Sequence, residues 1–180
     1  MADSPNKLTK IAVVGPESTG KSTMANFLAE KFNTFCVPEY SRFYCEHLQR
    51  NYTLDDEVNM FHGQRALESA IISKVENNIL ICDTTILTVK IWCDHLFNHT
   101  PDIVTKEITQ RKYDLYLLMD IDLPWQDDPL RDFPNERKHF MQIWKHELST
   151  INANYKIING LDACRLENGL RACNEYLNSL

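Results

Sequence analysis

Short continuous apolar runs alternate along the chain with longer segments in which apolar residues recur every three or four positions. Runs that are apolar throughout are typical of strands buried on both faces of a parallel sheet. Five such runs predict strands at about residues 8–14, 34–37, 79–82, 115–119 and 155–158.

The segments between these runs have the spacing of helices that are apolar on one face. They predict helices over about residues 20–32, from within 39–48, over 54–75 and 101–112, and around 89–96, 140–148 and 166–177. Gly63 interrupts the 54–75 helix, at a cost of about 1 kcal/mol relative to alanine. It marks either a close approach by a ligand or another backbone, or a tolerated surface glycine.

Strands that alternate with helices predict an α/β fold, in which a five-stranded parallel sheet has helices on both faces and right-handed crossovers. Ligands of such folds bind beyond the carboxyl ends of the strands. That rule brings four polar stretches to one crevice. They are residues 15–22, residues 39–42, Asp83 and residues 122–131.

The most specific pattern is residues 15–23, GPESTGKST, which follow the first predicted strand and open the first helix. The spacing is that of a phosphate-binding loop, whose glycines let backbone N–H groups turn toward phosphate oxygens. Lys21 is expected to reach the β- and γ-phosphates, and Ser22 to ligate Mg²⁺. The expected ATP-binding residues are Gly15, Glu17, Ser18, Thr19, Gly20, Lys21, Ser22, Thr23 and, from a later helix, Arg137.

Asp83 ends the third predicted strand, where a P-loop protein needs a carboxylate to hold Mg²⁺ directly or through water. We therefore expect Ser22 and Asp83 to form the metal site. The alternative is that Asp83 caps the following helix, a duty that Thr84 and Thr85 could share.

Glu39 follows the second predicted strand, and Arg42 lies three residues further on. In a phosphotransferase, such a carboxylate can accept the proton of the attacking hydroxyl, and the arginine can bind the acceptor. The alternative is a solvated surface ion pair, worth at most about 1 kcal/mol.

Residues 122–134, DLPWQDDPLRDFP, are rich in proline and aspartate and predict a loop, which we call the lid. Arg131 in the lid and Arg137 just after it are expected to close over the nucleotide and neutralise charge during phosphoryl transfer. Arg137 could instead only decorate its helix. Trp125 suits a stacking or lid-anchoring role.

Composition narrows the class of protein. With 180 residues, 43% of them hydrophobic, the chain suits one domain, over residues 1–180. A net charge of −6 offers no general basic surface for nucleic acid or anionic membrane. No apolar run approaches the ~20 residues of a membrane span, and the first seven residues are too polar for a signal peptide. A cytoplasmic protein with free thiols is expected, and the six histidines show no metal-binding spacing.

Together these motifs resemble the ribosylnicotinamide kinase domain of the bifunctional NAD-biosynthesis regulator and its stand-alone ATPase/kinase relatives. The resemblance rests on GPESTGKST, EYSR at 39–42, the helix around Gln64, ICDTT at 81–85 and PWQDDPLRDFPNER at 124–137. It implies a P-loop kinase with strand order 2-3-1-4-5. Family members often carry a second acid where this chain has Thr85, and the resemblance does not extend to the regulator's DNA-binding and adenylyltransferase parts.

The resemblance also implies the reaction, transfer of the γ-phosphate of ATP to the ribose 5′-hydroxyl of nicotinamide riboside. Lys21, Glu39, Asp83 and Arg131 are the expected catalytic residues. Arg42 and Gln64 are available for polar groups of this small-molecule acceptor, and Tyr40 or Trp125 for stacking on a flat ring. Asp128 belongs to a group of lid aspartates, with Asp122, Asp127 and Asp132, that would surround a cationic pyridinium.

Other functions remain open at this stage. A regulatory ATPase would use the same phosphate-binding loop, but it needs no acceptor site such as that around Glu39. A nucleoside kinase with a different acceptor is equally compatible with the crevice. The chain lacks the DxxG and NKxD motifs of GTPases. A polynucleotide kinase would require a positive groove, which the acidic composition does not indicate.

Overall fold

The computed structural model describes residues 7–180. Within that range, the elements in chain order are β1 (Thr9–Val14), α1 (Lys21–Lys31), β2 (Cys36–Val37), α2 (Tyr40–Glu46), α3 (Leu54–Ile72), β3 (Ile79–Asp83), α4 (Ile86–Phe97), α5 (Asp102–Gln110), β4 (Leu115–Met119), α6 (Arg137–Thr150), β5 (Tyr155–Ile158) and α7 (Asp162–Leu177). Every predicted strand and helix is present. The helix α3 ends at Ile72, before the expected residue 75, because Lys74 and Val75 donate to carbonyls only three residues back.

The five strands form one sheet in the order β2-β3-β1-β4-β5, with every neighbouring pair parallel. The expected fold class and strand order are therefore confirmed. In the register of the sheet, Val13 of β1 lies opposite both Asp83 of β3 and Leu117 of β4. The loop after β1 consequently starts beside the carboxyl ends of β3 and β4.

Helices cover both faces of the sheet, and the alternation of side chains along β1 shows how. Ile11 and Val13 belong to the core shared with α1 and α7, whereas Ala12 and Val14 belong to the core shared with α3, α4 and α6. All four residues are fully buried. Burial of each larger apolar side chain contributes roughly 1.5–3 kcal/mol, which holds the centre of the sheet rigid beneath the crevice.

The sequence suggested that Gly63 lies close to a ligand or another backbone, or that it is a tolerated surface glycine. Neither interpretation holds, because the close neighbour of Gly63 is a side chain. A Cβ atom built on Gly63 would lie 2.0 Å from Cε1 of Tyr40. The missing side chain lets α2 pack closely on α3, with the Tyr40 ring against the α3 backbone. An alanine at this position would force the two helices apart.

All six cysteines are free thiols, and Cys82, Cys93 and Cys173 are buried, as expected for core residues. Across residues 7–180, no helix combines the length and apolar character that crossing a membrane requires.

Candidate active site

A cavity of about 610 Å³ opens at the carboxyl end of the sheet. Its wall contains the phosphate-binding loop, the segment that enters α2, one face of α3, the start of α4 and part of the lid. Three of the four stretches that the sequence placed around a crevice line this cavity, whereas the fourth, Asp83, is not in the wall although the next residue, Thr84, is. Twelve of the predicted site residues line the cavity, namely Gly15, Glu17, Ser18, Thr19, Gly20, Lys21, Ser22, Thr23, Glu39, Arg42, Gln64 and Arg131.

The phosphate-binding loop is shaped by backbone constraints at its first glycine. Gly15 has φ +139°, and a Cβ atom there would lie 2.9 Å from the carbonyl oxygen of Met119 at the end of β4. Within the loop, the Thr19 hydroxyl and Lys21 Nζ both donate to the carbonyl of Pro16, at 2.8 and 2.9 Å. α1 then begins at Lys21, so the ammonium group and the helix N-terminus present positive charge together.

Asp83 is not used as a helix cap. The hydroxyl oxygen of Thr85 caps α4 by accepting from the N–H of Leu87 at 3.2 Å. Among the residues described, the buried Oδ1 atom of Asp83 has no hydrogen-bond partner. Burial raises the pKa of Asp83 to about 6, while a hydrogen bond from Ser22 opposes that rise.

This arrangement fits a divalent cation, because a buried carboxylate oxygen without a partner and an adjacent hydroxyl are oxygen ligands of the kind that Mg²⁺ prefers. Within residues 7–180 there is no cluster of three histidine, cysteine or acidic side chains able to hold a metal. Ser22 and Asp83 would therefore hold Mg²⁺ together with oxygens from nucleotide and water. The ion would supply charge neutralisation at the phosphates.

Glu39 is held in place by Gln64, which α3 presents from the opposite side. Gln64 Oε1 accepts from the N–H of Tyr40 at 2.7 Å, and its Nε2 donates to the carbonyl of Pro38 at 3.2 Å. Gln64 thus fixes the backbone on both sides of Glu39. Its amide therefore tethers the backbone that carries Glu39, although the sequence suggested direct contact with the acceptor.

The lid lies against the phosphate-binding loop. Glu17 accepts from the N–H of Phe133 at 3.2 Å, and Ser18 Oγ accepts from the N–H of Gln126 at 2.8 Å. From just beyond the lid, Arg137 donates to the carbonyl of Leu123 at 2.8 Å. The side chain of Glu17 therefore faces the lid backbone, whereas the sequence placed it with the nucleotide.

Trp125 packs between two arginines of the lid region. The guanidinium carbons of Arg131 and Arg137 lie 6.0 and 5.9 Å from the centre of its ring. Its indole N–H donates to Asp127 at 2.8 Å. The geometry is that of a lid anchor, the second of the two roles expected for this residue.

Five predicted site residues are not in the wall of the cavity: Tyr40, Asp83, Trp125, Asp128 and Arg137. Tyr40 packs on Gly63, so its ring is not presented to an acceptor. Asp128 forms an ion pair with Arg42 across the mouth of the cavity. These placements leave the proposed stacking role of Tyr40 without support.

The four lid aspartates, expected to surround a cationic ring, each have a partner in the protein. Asp122 pairs with Arg165, Asp127 with Trp125, Asp128 with Arg42 and Asp132 with the hydroxyl of Tyr52. Of these four, only Asp132 lines the cavity. Their carboxylates mainly fix the shape of the lid and its surroundings.

Sequence reasoning missed Arg165 of α7, which is only 4% exposed. Its guanidinium donates to the carbonyl of Thr19 at 2.9 Å and to that of Asp120 at 2.7 Å, and it pairs with Asp122. It therefore joins the phosphate-binding loop to the start of the lid. No local motif marks it, because its partners are distant in sequence.

Sequence reasoning also missed Glu57, Thr88 and Trp92, which line the cavity from α3 and α4. A signal for Glu57 was present. It lies three, four and seven residues before Met60, Phe61 and Gln64, and so on the buried face of α3. A charged residue in that phase of a helix predicts a buried charge, which either has a partner in the protein or faces a binding site.

A phosphate-binding loop, a strand-end carboxylate and an arginine-bearing lid on a sheet of this order define the class as a P-loop kinase fold. The chain belongs to the AAA domain family, whose model matches residues 10–163. It is homologous to the trifunctional NAD biosynthesis/regulator protein NadR of Salmonella typhimurium, with 28% identity over 160 residues. The alignment covers 84% of this chain and 38% of NadR, so the chain spans well under half of that relative's length.

Solved structures agree on the fold. NadR in complex with NAD and AMP-PNP has a TM-score of 0.76 at 23% identity, and NadR in complex with NR has 0.78 at 21%. Each match covers 93% of this chain and about half of the other, 49% and 50%. Thymidylate kinase from Ehrlichia chaffeensis has a TM-score of 0.67 at 14% identity, over 93% of this chain and 97% of its own. The family resemblance found in the motifs is confirmed.

Proposed function

We propose that this chain is a kinase that transfers the γ-phosphate of ATP to the ribose 5′-hydroxyl of nicotinamide riboside. The observation that carries the proposal is that one cavity is lined both by the phosphate-binding loop and by Glu39, Arg42 and a further apolar wall. A regulatory ATPase needs the first part only. The homology to NadR, and the NadR structures with NR and with AMP-PNP, support this pair of ligands.

In this proposal, the phosphates of ATP bind the N–H groups of the loop and the ammonium group of Lys21. Ser22 and Asp83 would hold Mg²⁺. Glu39, fixed by Gln64, accepts the proton of the attacking hydroxyl, and Arg131 neutralises charge on the transferring phosphoryl group when the lid is closed. Arg42 orients the acceptor at the mouth of the cavity, where it now pairs with Asp128.

The test is a set of parallel incubations of purified protein with Mg-ATP and one acceptor each, followed by mass spectrometry. Nicotinamide riboside should give its mononucleotide in clear preference to phosphorylation of uridine, cytidine or thymidine. Phosphorylation of another nucleoside without nicotinamide mononucleotide would overturn the acceptor assignment and leave a kinase. Hydrolysis of ATP with no acceptor phosphorylated would make the regulatory ATPase the better account.

A further inference from the structure

Two neighbouring acids at the start of α3, Asp56 and Glu57, are each only 2% exposed but have opposite environments. Asp56 accepts from Arg50 at 2.6 and 3.0 Å, from the hydroxyl of Tyr44 at 2.8 Å and from the N–H of Thr53 at 2.7 Å. These contacts hold its pKa well below the usual range. Asp56 therefore has a complete structural role, as the capping partner of α3 and the anchor of Arg50.

Glu57 has no such role. Among residues 7–180, no side chain or backbone group forms a hydrogen bond or an ion pair with its carboxylate, and it lines the cavity. The residue is largely buried, but its oxygens are not among the enclosed polar atoms that lack a partner, so the carboxylate faces the cavity. Because no described residue partners it there, a purely structural account does not explain a glutamate at this position. Burial, with a smaller contribution from Asp56, raises the pKa of Glu57 to about 8.

The cavity that Glu57 lines has apolar and aromatic residues in its wall. Met60 lies one turn further along α3, and Trp92 of α4 and Phe140 of α6 line the same cavity. Trp92 is fixed by ring contacts to Phe133 of the lid at 5.4 Å and to Phe140 at 5.1 Å. The buried hydroxyl of Thr88, one turn before Trp92, has no hydrogen-bond partner within the described residues.

An unpartnered carboxylate and an unpartnered hydroxyl in an aromatic wall define the chemistry of a complementary ligand. It has a flat ring for the aromatic surface, and positive charge or a hydrogen-bond donor for the carboxylate. The lid aspartates do not meet that need, since each already has a partner in the protein.

We propose that Glu57 recognises the positive charge on the ring of the phosphate acceptor, with Thr88 of the same cavity wall as a hydrogen-bonding group. This inference rests on the proposed function, because it assigns a residue to the nicotinamide end of that acceptor. The sequence suggested that the lid aspartates supply the negative charge near the cationic ring. This proposal assigns that charge to Glu57 of α3 instead. Glu57 is then a specificity-determining residue that contacts substrate far from the transferred phosphate.

Binding a cation should release a proton from Glu57. The titratable groups that face it are Asp56 on the same helix, Cys45 of α2, Tyr52 of the α2–α3 loop and Cys93 of α4. Burial raises the pKa of Cys45 to about 11 and that of Cys93 to about 12, and also raises the pKa of Tyr52. At pH 7 these three groups stay protonated and Asp56 stays ionised. Among these groups, Glu57 is therefore the one whose protonation state changes when the ligand binds.

The experiment compares Glu57→Gln with the matched control Asp55→Asn, an exposed acid on the first turn of the same helix. Two ligands are used, nicotinamide riboside and its reduced form, whose ring is neutral and whose ribose and carboxamide are unchanged. Glu57→Gln should raise the KM for nicotinamide riboside about tenfold or more, as expected for loss of a charged contact. The inhibition constant of the reduced riboside and the KM for ATP should change less than about threefold.

The outcomes separate the two levels of the proposal. If the wild type does not phosphorylate nicotinamide riboside, the proposed function fails and this inference fails with it. If the wild type is active but Glu57→Gln matches Asp55→Asn, or weakens both ribosides equally, recognition of charge by Glu57 is overturned while the kinase stands.

A measurement on wild-type protein protects the test against poor folding of the variant. Titration calorimetry of nicotinamide riboside at pH 7, in two buffers of different ionisation enthalpy, should show release of about one proton, and the reduced riboside should show none. Identical heats in both buffers for nicotinamide riboside would overturn the release of a proton from Glu57 on binding, and the comparison of the two ribosides would then decide whether Glu57 recognises the charge.

Discussion

The two halves of the cavity are organised in different ways. The nucleotide half is made by nine consecutive residues, held by backbone angles and by carbonyls such as those of Pro16 and Thr19. The acceptor half, by which we mean the part proposed to bind the phosphate acceptor, is made by single side chains from α2, α3, α4, α6 and the lid. A change of acceptor thus requires only separate side-chain substitutions, whereas the phosphate site depends on a continuous segment.

The lid is where the halves meet, because it contacts the phosphate-binding loop through Glu17 and Ser18 and the acceptor wall through Phe133 and Asp132. We therefore expect that closure of the lid over one substrate changes the binding of the other. The following predictions, from the largest expected effect to the smallest, test how separate the halves are.

Lys21→Ala should reduce phosphoryl transfer by about 10³-fold or more, because it removes the cation at the phosphates. The fold should persist, since within residues 7–180 the side chain of Lys21 donates a hydrogen bond only to the carbonyl of Pro16. Steady-state kinetics and thermal unfolding measure the two effects, with the exposed Lys138 as the control position. Near-normal turnover in the variant would remove the phosphate-binding loop from the mechanism.

Glu39→Gln and Asp83→Asn should have different effects, because one changes the acceptor half of the cavity and the other the nucleotide half. Glu39→Gln should lower kcat by about 10²–10⁴-fold with Mg-ATP affinity retained, as expected for loss of a general base. Asp83→Asn should lower both kcat and Mg-ATP affinity, because it removes the proposed metal ligand. Rapid-quench kinetics and titration with a non-hydrolysable ATP analogue report the two quantities. The opposite pattern would show that the two roles are exchanged.

Glu17→Ala should loosen the lid, because its carboxylate accepts from the N–H groups of Asp132 and Phe133. Loss of these charge-assisted hydrogen bonds should raise the KM for ATP about tenfold. Limited proteolysis should show faster cleavage within residues 122–134. The exposed Glu30 of α1 is the matched control. Unchanged proteolysis would mean that Glu17 does not couple loop and lid.

Glu57→Gln should change stability in a pH-dependent way even without ligand. The pKa of Glu57 is about 8 in the folded state and near 4.5 when unfolded, so wild-type stability is lost as pH rises between these values. The variant lacks this loss, which amounts to at most about 1.4 kcal/mol per pH unit. The free energy of unfolding, measured with denaturant at pH 5 and pH 8, should therefore rise for the variant relative to wild type between the lower and the higher pH. If variant and wild type differ in free energy of unfolding by the same amount at pH 5 and pH 8, the pKa of Glu57 is not raised in the folded state.

The sequence was sufficient for the fold and for placing the phosphate-binding loop at the cavity, because both depend on local signals. Apolar runs marked the strands, and the spacing of Gly15, Gly20 and Lys21 marked the loop. The arrangement of the acceptor half could not be predicted from local sequence signals. The contact of Tyr40 with Gly63 and the pairing of Asp128 with Arg42 arise only when distant elements pack. Polar residues such as Gln64 were found, but their partners were not.

The support that Arg165 gives to the phosphate-binding loop has a consequence for biosynthesis. The guanidinium of Arg165 holds the carbonyl of Thr19, a residue that is translated 146 positions earlier. A nascent chain on the ribosome contains the complete phosphate-binding loop long before α7 emerges. Until then the loop lacks this contact, so ATP should gain its full ability to stabilise the chain only near the end of synthesis.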